Sequence, residues 1–151
     1  MSENLEEKGW HRKFAVNCFN GTWDLLDKTE RTPLEDARMV HMAHASRYHW
    51  GEIGTPLNLA RGDWQLSRVY AVLGEGVNAL KYGQSCLQTC KENGITDFDL
   101  AFAFEATARA FSVLGEADQR DRHLQMARQA GEVIAREEDK QYFFSELHTI
   151  Q

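Results

Sequence analysis

The octapeptide Arg68-Val-Tyr-Ala-Val-Leu-Gly-Glu75 returns as Arg109-Ala-Phe-Ser-Val-Leu-Gly-Glu116, at an offset of 41 residues. A period between about 20 and 50 residues is typical of solenoids, in which each unit buries its apolar face against its neighbours. The 151 residues accommodate three such units and one further helix in a single domain, residues 1–151. The repeat predicts an architecture but not a function.

Capping residues place the helix boundaries in agreement with the repeat. Thr32-Pro33-Leu34-Glu35 is a capping box with proline at the first helical position, and Thr55-Pro56 repeats the cap and the proline. Glycines at positions 54, 74, 94 and 115 supply the turns that end helices. The helices predicted from these signals span residues 7–28, 33–50, 56–73, 76–92, 97–114, 117–136 and 140–148.

Composition argues against two classes of partner. The net charge of -6 and the pI near 5.5 disfavour binding to nucleic acid, which requires clustered Lys and Arg. Because the sequence has no run of 18 apolar residues, we expect no membrane-spanning segment. Cysteines at 18, 86 and 90 cannot all pair, and the first residues lack an apolar signal segment, so we expect a cytoplasmic protein with reduced thiols.

The spacing Tyr70-x-x-Leu73-Gly74 with Cys86 recurs as Phe111-x-x-Leu114-Gly115 with Ala127. This pattern of aromatic and small residues resembles that of the tetratricopeptide-repeat family, whose long-period version has similarly long helices. The first predicted hairpin fits it more loosely. The resemblance implies an all-α fold: a right-handed α-solenoid of three antiparallel helical hairpins (about 7–50, 56–92 and 97–136) with a C-terminal capping helix (140–148). It also implies a concave groove lined by the first helix of each hairpin.

Residues on these first helices are candidates for binding a ligand in the groove. Arg68 and Arg109 recur at equivalent positions of adjacent units, so both would face the groove and together hold a carboxylate or phosphate. Because the two arginines lie beside the core stripe of their helices, we expect them to contribute little to folding. The candidate ligand-binding residues are Asn58, Arg61, Trp64, Arg68, Glu105 and Arg109.

A structural interpretation of the same arginines is the alternative. Arg109 can pair with Glu105, one helical turn earlier, and Arg68 can pair with a carboxylate on another helix. Ion pairs of this kind are common in helical proteins and individually weak. In that case the arginines support the fold and the binding surface lies elsewhere.

Three histidines within nine residues suggest a metal site or a His-based enzyme. His41 and His44 lie about 60° apart around a helix and can converge, whereas His49 lies about 140° from His44. No motif such as HExxH supplies another ligand, and the candidates for one are His11, Asn17, Asp24 and Glu52. We expect no metal and no other cofactor, with His49 and Trp50 as buried packing or hydrogen-bonding residues.

The sequence thus predicts a non-catalytic cytoplasmic module that binds a peptide segment, a protein partner or a small anionic ligand. One alternative is a small metal-dependent or His-based enzyme centred on His41 and His44. Another is a scaffold that self-associates, for example as a homodimer, because a short array leaves its end faces open. Cys86 and Cys90 occupy small packing positions of the repeat, and we expect both to be buried, inert thiols.

Overall fold

The computed structural model describes the backbone of residues 2–151 and the side chains of residues 4–151. In this part of the chain every regular element is an α-helix, as the sequence predicted, and there are seven of them. The helices are α1 (Ser2–Leu26), α2 (Pro33–Ile53), α3 (Pro56–Val72), α4 (Gly76–Glu92), α5 (Asp97–Leu114), α6 (Ala117–Glu132) and α7 (Glu137–Leu147). None of these helices combines the length and the apolar character needed to span a lipid bilayer.

The predicted starts of α2 to α6 match the observed ones. A capping box is present at the starts of α2 and α3, whereas α4, α5 and α6 begin without a side-chain cap hydrogen bond. At α2, the Glu35 backbone N–H donates to Thr32 Oγ1 at 3.1 Å, and the Thr32 N–H donates to Glu35 Oε1 at 3.0 Å. Lys28 also binds the Glu35 carboxylate. The hydrogen bond from Lys28, followed by that from the Thr32 N–H, lowers the pKa of Glu35 to about 2.

The last predicted boundaries are less accurate. α6 ends at Glu132 instead of residue 136, and α7 begins at Glu137 instead of residue 140. Three acidic residues, at positions 137 to 139, form the first turn of α7. Their negative charges favour a helix start because they lie at the positive end of the helix dipole.

The repeated octapeptide ends in the same turn on both occasions. Gly74 has a φ of 77° and Gly115 a φ of 75°, in the left-handed region that glycine adopts without steric cost. The Glu75 N–H donates to the Tyr70 carbonyl at 2.9 Å, and the Glu116 N–H donates to the Phe111 carbonyl at 3.0 Å. The sequence repeat is therefore also a repeat of backbone geometry.

An aromatic contact recurs at the same interval. Tyr70 stacks on Tyr82 with ring centroids 5.8 Å apart, and 41 residues later Phe111 packs on His123 at 4.9 Å. Tyr70 and Phe111 therefore occupy equivalent contacts between helices. If the repeat places these rings in the core, both should be buried, but each ring is only half-buried.

Helix packing brings the candidate residues of α3 and α5 together. α1 packs on α2, α3 on α4 and α5 on α6. α3 also contacts α5 directly, although α4 lies between them in the sequence. α7 packs against α5 and α6, where the fully buried Phe143 lies edge-on to Phe102, with ring centroids 5.0 Å apart. Gly131 permits this approach, since a Cβ there would lie 2.5 Å from the Phe143 ring.

Candidate functional site

An apolar pocket of about 130 Å³ lies between α1, α3, α5 and α7. Two buried residues, Ala60 of α3 and Cys86 of α4, line it together with Arg61 and Asp99. The rest of its wall is aromatic and consists of Phe19, Trp23, Trp64, Phe98, Phe102 and Tyr142. Such a pocket favours an apolar group of about the size of one ring.

Trp64 is held in this wall by three neighbours. Its ring stacks on Trp23 with centroids 5.6 Å apart, and Phe102 meets it edge-on at 5.6 Å. The Arg68 guanidinium lies 5.0 Å from its centroid, within the range of a cation–π contact. These contacts keep the indole in a fixed position beside the pocket.

Arg61 lies at the same pocket in an ion pair with Asp99. Its Nε donates to Asp99 Oδ1 at 2.9 Å and its Nη2 to Asp99 Oδ2 at 3.1 Å. The hydrogen bonds to Asp99 raise the pKa of Arg61. The Arg61 side chain is 51% exposed, and a guanidinium has five N–H donors, so three remain for other acceptors.

A second, more polar pocket adjoins the first. Phe19 and Arg61 line both pockets, and the second one is completed by Val16, Asn20, Trp50 and Asn58. Asn58 uses its Oδ1 to accept a hydrogen bond from the Thr55 N–H at 3.0 Å, which leaves its amide N–H groups for a ligand. The Arg12 guanidinium lies 5.7 Å from the Trp50 ring centroid. No acidic residue lines this pocket in the described part of the chain.

The other three candidate residues form a buried ion-pair network. Glu105 is fully buried, and its Oε1 accepts from Arg68 Nη2 at 2.7 Å and from Arg109 Nε at 3.2 Å. Arg68 also pairs with Glu146 at 3.3 Å. Burial opposes the charge of Arg68, but Glu105 and Glu146 outweigh it and raise its pKa. For Arg109 burial prevails over the attraction of Glu105 and lowers the pKa.

The position of Arg68 and Arg109 beside the core stripe does not leave them exposed, so their small contribution to folding stays a prediction that burial argues against. Their side chains are only 12% and 15% exposed, because α7 and the residues after it cover them. Arg109 Nη2 donates to the Glu146 carbonyl at 3.1 Å and to Thr149 Oγ1 at 2.7 Å. The pairs that the structural interpretation predicted, Arg109 with Glu105 and Arg68 with a carboxylate on another helix, are both present.

The histidines are engaged in pairwise contacts. His44 Nε2 lies 2.8 Å from Tyr70 Oη, and His49 Nδ1 lies 2.9 Å from His11 Nδ1. Burial lowers the pKa of His44 and of His49, and the neighbouring histidine of each, His41 or His11, adds to the effect. Among the described residues, no three His, Cys, Asp or Glu side chains form a group suited to a metal ion. The predicted hydrogen-bonding role of His49 is confirmed, and its partner is on α1. The expectation that His49 and Trp50 are buried is wrong, because both are only half-buried.

The cysteines are free thiols, and Cys86 and Cys90 are buried, as the sequence predicted. The pKa of Cys86 is raised by its hydrogen bond with Cys90 and by burial. Because the thiolate is the nucleophilic form, Cys86 is a poor nucleophile although it lines the pocket.

Sequence reasoning missed most of the pocket wall. Phe19, Trp23, Phe98 and Tyr142 were not among the candidate residues, and neither was Asp99, the partner of Arg61. A signal for Asp99 was present, because Asp99 stands 41 residues after Asn58 at the equivalent position of the next unit. Tyr142 had no such signal, since α7 lies outside the repeat.

Comparison of the chain with models of known protein families, with curated proteins and with solved structures finds no match. The function is therefore inferred from the two pockets and the charges around them.

Proposed function

We propose that this protein is a non-catalytic, cytoplasmic binding module of the tetratricopeptide-repeat kind. In this proposal three helical hairpins form a right-handed solenoid, α7 is its cap, and the ligand lies along the first helices, α1, α3 and α5. The ligand is a peptide segment or a small anionic molecule. The observation that supports this best is the aromatic pocket between those three helices, next to a polar pocket without an acidic residue in the described chain.

The recurrence of structure at 41 residues supports the hairpin repeat. The glycine turn and the aromatic contact after it both occur twice at that spacing. The direct contact between α3 and α5 is the packing expected of the first helices of adjacent hairpins.

The titratable groups at the aromatic pocket favour binding over catalysis. Both oxygens of Asp99 accept hydrogen bonds from Arg61 and are thus occupied. Cys86 has a raised pKa, and burial also raises the pKa of Tyr142. At neutral pH both groups are therefore protonated and do not act as nucleophiles.

The six candidate residues divide into two roles in this proposal. Asn58, Arg61 and Trp64 line the pockets and touch the ligand. Arg68, Glu105 and Arg109 hold α3, α5 and α7 together behind them. An anion is bound by Arg61 and not by the two buried arginines.

Selection from a displayed library of random peptides tests the proposal, with affinities of the selected peptides measured by calorimetry. Phe98→Ala removes part of the aromatic wall, and Tyr142→Ala removes a ring that is already 45% exposed and whose loss disturbs the fold less. We expect each variant to weaken binding by about tenfold or more, since a ring–ligand contact with its burial is worth about 1.5 to 3 kcal/mol.

A third site variant is Arg61→Ala, and its matched control is Arg128→Ala on α6, a helix that lines neither pocket. Arg61→Ala should weaken anionic ligands, and Arg128→Ala should leave them unchanged. Circular dichroism of each variant verifies that it is folded. Failure to select any peptide, combined with no binding of small organic anions, would exclude the binding-module proposal.

A further inference from the structure

We infer that the two adjoining pockets together bind a small carboxylic acid that carries a single ring, with the ring among the aromatic side chains and the carboxylate against Arg61 and Asn58. This inference rests on the proposed function and names the ligand class of the same site. The ligand is a free small molecule, and the experiment below distinguishes it from a peptide.

The size of the aromatic pocket sets the limit of one ring. Its volume of about 130 Å³ is close to that of engineered apolar cavities of about 150 Å³, which bind benzene. Phe98, Phe102 and Tyr142 line it together with Trp23 and Trp64. Aromatic pairs prefer offset or edge-on geometry, which walls at several inclinations offer to an entering ring.

The polar pocket supplies the complementary charge. Arg61 retains three N–H donors beyond its pair with Asp99, and the Asn58 amide has two. Arg12 lies over Trp50, another residue of this pocket. The protein has a formal net charge of -6, but this pocket has an arginine and two amide side chains and, among the described residues, no acidic lining residue.

The neighbouring Asp99 selects a monoanion. Both of its oxygens lie on Arg61, and the Asp99 side chain is 17% exposed, so its charge acts on any anion bound by the same guanidinium. Attraction to Arg61 and repulsion from Asp99 both double for a phosphate dianion, so its second charge gains little from the pair, while a dianion loses more hydration than a carboxylate on entering the pocket. A carboxylate is therefore favoured over a phosphate.

The ring and the carboxylate are assigned to one ligand because the pockets share two lining residues, Phe19 and Arg61. A group that fills the aromatic pocket therefore has the N–H donors of Arg61 beside it.

Calorimetry with the full chain and a homologous series tests the inference: benzoate, phenylacetate, 3-phenylpropanoate and 4-phenylbutanoate. We expect at least one acid to bind saturably with a Kd below about 1 mM and to change the tryptophan fluorescence, because Trp64 lines the pocket. Two controls should each bind at least about tenfold more weakly than the best acid. They are 3-phenylpropan-1-ol, which lacks the charge, and butanoate, which lacks the ring. Phenyl phosphate should bind more weakly than the best carboxylate.

Three variants assign the two halves of the ligand. Asn58→Asp keeps an oxygen that accepts from the Thr55 N–H, so α3 stays capped, but it places a negative charge in the polar pocket. Arg61→Gln removes the guanidinium. Ala60→Leu fills the aromatic pocket. We expect all three to weaken the best acid by about tenfold or more, while Arg128→Gln leaves it unchanged.

The outcomes separate the inference from the proposed function. If selected peptides bind in an Arg61- and Phe98-dependent way but no ring-bearing acid binds, the small-molecule inference fails and the binding module stands. Tighter binding of phenyl phosphate, or equal binding of the alcohol, overturns the selection of a carboxylate. If neither peptides nor acids bind to the folded protein, both proposals fail.

Discussion

Two arginines on α3 have opposite environments although they lie on the same side of the helix. Arg61 and Arg68 are seven residues apart, which is about two helical turns. The Arg61 side chain is 51% exposed and lies near Asn58 and Asp99, at what we call the open end of this helix face. The Arg68 side chain is 12% exposed and lies at the covered end, with Glu105, Arg109 and Glu146. The two arginines have nearly the same direction around the helix, so the packing of α7 decides the difference.

The comparison also separates two kinds of electrostatic contribution. An exposed pair is surrounded by water, and its net contribution to the free energy of unfolding is about 0 to 1 kcal/mol. A buried pair is weak evidence of net stabilisation, but removing one partner leaves an uncompensated charge inside the protein. The open end is therefore free to bind and the covered end is not.

The largest effect is expected from Glu105→Ala. The substitution leaves Arg68 and Arg109 buried with their shared carboxylate missing, so the free energy of unfolding should fall by about 3 to 5 kcal/mol. Asp99→Ala is the matched control at the open end, where the loss should stay below about 1 kcal/mol. Urea unfolding measures both. Similar losses for the two variants would show that the ends do not differ.

A smaller loss is expected from Arg109→Ala, which removes the hydrogen bonds to the Glu146 carbonyl and Thr149. Charged hydrogen bonds contribute about 1.5 to 3 kcal/mol, so unfolding should become easier by about that amount. Hydrogen exchange should be faster mainly in α7, because that helix loses its anchor. Unchanged protection of α7 would mean that Phe143 alone secures it.

Arg61→Ala should change stability least among the arginine variants. The loss should be within about 1 kcal/mol, since the pair with Asp99 is half-exposed. Ligand affinity is the property that should fall instead. A drop in melting temperature as large as that of Arg109→Ala would make Arg61 a structural residue.

The smallest effect is expected on the pKa of Tyr142. This residue lines the pocket at the open end, and the charge of Glu146 at the covered end acts on it. Burial raises the pKa of Tyr142, and the charge of Glu146 raises it further. Because the pKa of Tyr142 is higher in the folded state than in the unfolded state, the protonated tyrosine stabilises the fold at pH values below its unfolded-state pKa. This stabilisation is lost as the pH rises through the folded-state pKa. The absorbance of phenolate during alkaline titration, with Tyr142→Phe as the reference, measures this pKa. Glu146→Gln should shift it downward, and no shift would place the charge of Glu146 out of reach.

Local signals in the sequence were sufficient for most of the helices. The Thr32 capping box lies within four consecutive residues, and the Gly74 and Gly115 turns are encoded by the repeated octapeptide. The candidate site was predicted less well. Arg61 and Trp64 line the aromatic pocket, but Arg68, Glu105 and Arg109 are buried behind it. Helical phase placed all five on one side and carried no information about what lies over that side.

By itself, the sequence determined the all-α chain, the starts of α2 to α6 and the 41-residue recurrence, because capping, glycine turns and helical period act over a few residues. Only the tertiary structure decided which arginine is exposed and which is buried. Arg68 and Glu146 are 78 residues apart in the chain, and their contact depends on where α7 packs. That packing follows from the burial of Phe143 against α5 and α6, a long-range contact without a periodic signal in the sequence.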